Sequence, residues 1–264
     1  MYIHNLSPIL FDFGFFEIKW YSIAYIIGIL AGWWLGKKII LQNKNFKEII
    51  SLDEFDNYIS YLIVGIILGG RFGYIIFYNF FFYLENPLNI FKIWQGGMSF
   101  HGAVLGVILV TYIFVIKKKI QPLFLLDIVA CVTPIGLFFG RVANFINSEL
   151  YGTETNLPWA VKFVQVDNLF RHPSQLYEAF LEGLVLFIVL LYFKSKGHTK
   201  VPGIASGLFL FFYSIFRFIV EFLRVPDEQL GYLFLNLTMG QLISFVFLLI
   251  GIYLIITKYE IKKE

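Results

Sequence analysis

The sequence predicts an all-α fold: a polytopic integral membrane protein with seven transmembrane helices, its N-terminus outside and its C-terminus cytoplasmic. Three observations carry that expectation. Of the 264 residues, 58% are hydrophobic and 15% charged, against roughly 45 to 50% and 25% in a soluble domain, and the mean hydropathy is +0.74. Seven apolar runs approach the roughly 20 residues that a helix needs to cross hydrocarbon. Lys and Arg are distributed unequally between successive loops, which orients the chain. A net charge of only +3, with no basic stripe, argues against a nucleic-acid partner.

In chain order the runs are Lys19 to Gly36, Tyr58 to Tyr78, Met98 to Ile116, Leu123 to Phe139, Leu176 to Phe193, Gly203 to Phe222 and Met239 to Thr257. Before the first, Met1 to Phe16 has no Lys or Arg, contains Asp12 and lacks a small-residue cleavage site, so this run is expected to stay in the mature protein. Phe80 to Tyr83 with Ile90 to Trp94 read as an interfacial segment. Thirteen of the 21 Lys and Arg follow odd-numbered runs: Lys37, Lys38, Lys44, Lys47, Lys117, Lys118, Lys119, Lys194, Lys196, Lys200, Lys258, Lys262 and Lys263. Lys92, Lys162, Arg171 and Arg224 fall in the other loops, which places the N-terminus outside. So little chain is left over that residues 1–264 are expected to form a single transmembrane domain. Outer loops 79–97 and 142–175 would then make a small extracytoplasmic head region.

Ionisable residues inside a bilayer are costly and persist where they pair or line a polar cavity. With the orientation above they gather on the outer side: Lys19, Tyr21, Arg71, His101, Arg141, Glu149, Arg171, His172, Glu178, Arg217, Glu221 and Arg224. Tyr213, Arg217, Glu221 and Arg224 share one helix face, so Arg217 can pair with Glu221 unaided. Arg71 sits among Gly69, Gly70 and Gly73 and reads as a structural tie in a close helix contact. Several arginines at one outer depth instead favour an anionic ligand, because guanidinium forks match phosphate oxygens. His101 reads either as a hydrogen-bonded belt residue or, apart from His172, as the histidine that topology places beside them, a residue type whose unperturbed pKa is near neutrality. His4 and His198 read as solvated loop residues. The densest polar stretch, Gly140 to Gly152, has Arg141, Asn144 and Asn147 or Ser148 along one face if the helix continues, and is otherwise a helix exit capped by Gly152. Cys131 is the single cysteine, inside an apolar run, and is expected to be inert. Zinc-helix, serine-elbow and phosphate-loop motifs are missing, so no metal and no cofactor is expected.

Gly140-Arg-Val-Ala-Asn-Phe-Ile-Asn-Ser-Glu-Leu-Tyr-Gly152 resembles, at every fixed position, the signature of bacterial prolipoprotein diacylglyceryl transferases. Further blocks are similar to the same family along essentially the whole chain: Trp20-Tyr21, Gly69 to Tyr74 with Phe77-Tyr-Asn79, Gly96 to Gly102, Arg171 to Glu178, and Arg217 to Arg224. Ala103 stands where the family usually has the second glycine after its histidine. The resemblance implies transfer of the sn-1,2-diacylglyceryl group of phosphatidylglycerol to the lipobox cysteine thiol of a preprolipoprotein, the first step of lipoprotein maturation. A thioether and glycerol phosphate result. It implies a bacterial cytoplasmic (inner) membrane protein with its site toward the outer leaflet. By motif position, Arg141, Asn144, Glu149, Gly152, Tyr21 and Glu221 would bind substrate, and His101, Arg217 and Arg141 would act in catalysis. The substrate thiol must lose a proton, either to His101 or through an electropositive site that lowers its pKa. A non-enzymatic carrier or binder of outer-leaflet anionic lipid is the competing reading.

Overall fold

The computed structural model describes residues 1–14, 17–92, 97–226 and 231–261. Among these, six helices are long and apolar enough to cross a membrane: Trp20–Gln42, Leu52–Ile76, Pro122–Ile146, Ser174–Ser195, Ile204–Glu221 and Met239–Lys258. Each covers one of the runs read from the sequence. The remaining run, Met98 to Ile116, overlaps the 19-residue helix Phe100–Lys118, which extends two residues past it. Two helices outrun their apolar segments for visible reasons. Leu52–Tyr78 begins early because Ser51 and Glu54 form a reciprocal capping box. Pro122–Ile146 continues past Arg141, whose charge is met by carboxylates.

Contacts divide the chain into two compact units, residues 37–126 and residues 1–36 with 127–264. In the first, the helices Leu52–Tyr78 and Phe100–Lys118 meet through glycines. A Cβ on Gly106 would lie 2.0 Å from the Gly65 carbonyl oxygen, and one on Gly69 would lie 2.4 Å from that of Gly102. Only glycine allows such an approach. Arg71 is buried here: its Nε donates to the Ile90 carbonyl at 2.9 Å, its Nη1 to that of Gly97 at 3.2 Å, and its guanidinium lies 5.1 Å from the Tyr83 ring. It is the structural tie that the sequence suggested. The segment after Asn79 is a short helix, Phe80–Glu85, and a 3-10 turn, Pro87–Phe91; Ile93 to Gly96 lie outside the described residues.

In the second unit, Ile204–Glu221 packs on Met239–Ile261 through Gly207 and Gly251. Asp127, buried in the Pro122–Ile146 helix, caps its neighbour from the side. It accepts from the Gly203 and Ser206 backbone N–H groups, both at 2.8 Å, and from Ser206 Oγ at 2.6 Å. Short strands complete this unit. Strand β1 (Tyr2–His4) pairs in parallel with β4 (Val161–Phe163), which pairs antiparallel with β5 (Phe170–Arg171), while β2 (Ile9–Asp12) pairs with β3 (Glu17–Lys19). Two to four residues leave no readable alternation, so the sequence did not announce them. They correct one expectation: His4 is fully buried rather than solvated.

Candidate functional site

Three helices of the second unit meet around a set of charges. Pro122–Ile146 supplies Arg141. Ser174–Ser195 supplies Glu178 and Glu182, one helical repeat apart and both fully buried. Between Ala179 and Val185 this helix widens into a π turn. Gly183 lets the turn approach the Arg141 helix, because a Cβ there would lie 2.8 Å from Phe138 Cα. Ile204–Glu221 and the turn after it supply Arg217, Glu221 and Arg224.

The six groups alternate in sign. Glu178 lies 3.0 Å from Arg141 Nε, and Arg217 Nη1 donates to its other oxygen. Glu182 accepts from Arg141 Nη2 at 3.4 Å and lies 3.8 Å from Arg217 Nη1. Arg217 Nη2 pairs with Glu221 at 2.7 Å, as helical spacing suggested. Arg224 Nη1 lies 3.8 Å from Glu221 and 4.0 Å from Glu178. Glu221 also accepts from Thr238 Oγ1 at 3.0 Å. A Cβ at Gly240 would meet its carboxylate at 2.8 Å, so glycine makes the space it occupies.

Three guanidinium and three carboxylate groups balance in formal charge, which is how they persist within apolar helices. They are not equally accessible. The side chains of Arg217 and Arg224 are 9% and 6% exposed, Arg141 16%. Arg141 Nε faces Glu178 without the alignment of a hydrogen bond. Arg141 thus has the most exposed side chain of the three arginines.

Three residues further along the same helix, buried Asn144 donates through Nδ2 to Tyr21 Oη and to Glu149 Oε2, both at 3.2 Å. Asn147 Nδ2 reaches Glu149 Oε1 at 3.4 Å. The helix ends at Ile146, and Ser148 and Leu150 take left-handed φ values of 57° and 55° on either side of Glu149. Gly152 is therefore not the cap. Its N–H donates to the His172 carbonyl at 2.9 Å, and a Cβ would lie 2.5 Å from that oxygen and 2.6 Å from the Leu223 oxygen. No side chain fits where the end of the signature passes between His172 and the end of the Arg217 helix.

Just before the Glu178 helix, Arg171 pairs with Asp167 at 2.5 Å and lies 4.9 Å from the Tyr151 ring; this guanidinium holds the Asp167 carboxyl below the usual carboxylate range. His172 Nδ1 lies 3.2 Å from Tyr177 Oη, which accepts from Trp159 Nε1 at 2.8 Å, and burial lowers the His172 pKa.

Of the residues expected at the site, Arg141, Arg217 and Glu221 belong to the ion cluster, and Asn144, Tyr21 and Glu149 to the hydrogen-bonded group beside it. Gly152 packs at its edge. His101 is on the first turn of Phe100–Lys118 in the other unit, and its side chain lies outside the described residues. Glu182 was not expected, although two glutamates four residues apart in an apolar helix were a signal for it. Cys131 is a free, buried thiol. Among the described residues, no group of three His, Cys, Asp or Glu could hold a metal ion.

Comparison with known proteins adds a family. The model of prolipoprotein diacylglyceryl transferase matches residues 8–257. The phosphatidylglycerol–prolipoprotein diacylglyceryl transferase of Rickettsia bellii (strain OSU 85-389) is 53% identical over 253 residues, 96% of this chain and 95% of its own. The enzymes of the same name from Rickettsia typhi and Rickettsia felis are each 50% identical, over 97% and 95% of this chain and 98% and 96% of theirs.

Proposed function

The chain belongs to the prolipoprotein diacylglyceryl transferase family, and on that premise we propose how its own residues carry out the transfer. It is an integral membrane transferase that moves a diacylglyceryl group from phosphatidylglycerol to a prolipoprotein. The acceptor is the thiol of the lipobox cysteine. Its sulfur, as thiolate, attacks the primary glycerol carbon of the lipid. A carbon–sulfur bond forms as the carbon–oxygen bond to phosphate breaks, and glycerol phosphate leaves with the electron pair.

The Arg141 side chain, the most exposed of the three arginines and backed by buried carboxylates, is the observation that supports this reading. Arg141 binds the phosphate, and Arg217 joins it in meeting the charge that grows on the leaving group. Glu221 orients Arg217. Asn144, Tyr21 and Glu149 form the polar wall for the glycerol head, and Gly152 keeps that wall close to the ion cluster. The thiol proton goes to His101, or the electropositive site lowers the thiol pKa so that no dedicated base is required. Seven spans, with the N-terminus outside and the C-terminus cytoplasmic, put this site at the outer leaflet of the bacterial cytoplasmic membrane. Loops 79–97 and 142–175 form a small extracytoplasmic head region. The acceptor enters as a lipobox peptide; nucleic acid takes no part.

Arg141→Ala, in phosphatidylglycerol vesicles with a lipobox peptide, is expected to lose transfer by about 10² or more while remaining folded and inserted. Retained activity overturns the phosphate assignment. Wild-type protein that binds the lipid but releases no glycerol phosphate supports the carrier reading instead.

A further inference from the structure

Buried His4 has no part in the transfer described above, yet it touches the signature segment twice. Its ring meets Phe145 edge-on, with centroids 4.7 Å apart, and its Nδ1 lies 3.2 Å from Ser148 Oγ. The ring is held there from behind. Phe163 of β4 packs on it at 5.2 Å, the His4 carbonyl accepts from the Val164 N–H at 3.3 Å, and Tyr2 donates to the Ala160 carbonyl at 3.0 Å. Burial lowers its pKa, so the ring is neutral near pH 7.

Ser148 is where the signature needs support. It and Leu150 place non-glycine side chains in the left-handed region, which costs free energy that surrounding bonds must offset. From the other side, Ser174 Oγ donates to the Leu150 carbonyl at 2.9 Å and Gln175 Nε2 to that of Glu149. Both of these side chains are fully buried. Glu149 is therefore presented by a turn clamped between the start of the Glu178 helix and the first strand of the chain. Residue 4 reaches it only because β1 lies parallel to β4.

We propose that His4 is a positioning residue of the lipid site: through Ser148 it holds the turn that presents Glu149 to Asn144. This rests on the reading of that group as the wall for the phosphatidylglycerol head. The N-terminal strand is accordingly part of the substrate site rather than a leader to the first helix.

The test compares His4→Phe, His4→Asn, Ser148→Ala and the double variant His4→Phe/Ser148→Ala in phosphatidylglycerol vesicles. Phe keeps the apolar packing and loses the bond, whereas Asn keeps a polar atom near the place of Nδ1. His4→Phe and Ser148→Ala should each raise KM for phosphatidylglycerol by about tenfold, the equivalent of one hydrogen bond, with kcat within about twofold. His4→Asn should restore the wild-type KM, and the double variant should be no worse than either single one. The rise in unfolding midpoint that phosphatidylglycerol gives the detergent-purified protein should shrink in parallel. If His4→Phe does not fold, Ser148→Ala, which removes one hydroxyl, carries the comparison alone. Variants with lowered lipid-free midpoints and unchanged KM overturn the positioning role and leave the functional reading standing. Wild-type protein that neither transfers from nor is stabilised by phosphatidylglycerol overturns both.

Discussion

Glu178 faces all three guanidinium groups of the cluster, as Arg217 faces all three carboxylates, so removing Glu178 breaks several buried pairs at once. Breaking a buried pair leaves an uncompensated charge at about 3–5 kcal/mol. Glu178→Ala should therefore lose that much in detergent unfolding, whereas Glu149→Ala, at an exposed side chain, should lose less than about 1 kcal/mol. Equal losses would contradict the alternating cluster. His172 gives a pH prediction of definite sign. Burial depresses its folded pKa below the unfolded value of about 6.5, so its contribution is present above that pH and is lost as pH falls through the folded value. The unfolding midpoint should drop on acidification below about pH 6.5 and drop less in His172→Gln, while Asp167, held ionised by Arg171, contributes nothing in that window. An identical slope in the variant would refute this. Arg141, Asn144 and Glu149 stood out because they fall in the densest polar stretch, Gly140 to Gly152, and Arg217 and Glu221 because charge inside an apolar run demands a reason. Glu182 carried the same signal and was passed over. His4 carried none, since its burial is made by strands too short to show a period.

Helices were the legible elements, since their apolar runs follow from the thickness of hydrocarbon, and their errors were confined to ends where a cap or an ion pair extends them. What orients one helix against the next was less visible. Asp127 replaces the missing side-chain cap at Gly203 and so fixes the start of the helix that carries Arg217 and Glu221. Asp127→Ala should cost about 1–2 kcal/mol of stability and raise KM for phosphatidylglycerol in the molecules that remain folded. A loss of stability with unchanged kinetics would confine Asp127 to a structural role. The π turn at Ala179–Val185 is a second such device, and it had no signal in the sequence beyond Gly183. Gly152 was a helix cap in one reading of Gly140 to Gly152, and it is instead a point where backbone passes close to backbone.

For the molecule as a whole, the distribution of Lys and Arg makes a topological prediction independent of any chemistry. A membrane-impermeant maleimide should label Asn5→Cys from outside and Lys196→Cys only after the membrane is opened; the native Cys131 is buried and should add little background. The reverse pattern would move the site to the wrong leaflet. The central claim is that the diacylglyceryl half of phosphatidylglycerol goes to the peptide and the head group leaves as glycerol phosphate, with Arg141 holding the phosphate between them. The most direct test uses vesicles of phosphatidylglycerol labelled with one isotope in the head-group glycerol and another in the diacylglycerol, with wild-type protein and Arg141→Ala side by side. The account predicts that the diacylglycerol label joins the peptide cysteine in equal amount to the head-group label released as glycerol phosphate, and that both fall by about 10² or more in the variant. Head-group label on the peptide, release without transfer, or full activity in Arg141→Ala would contradict it.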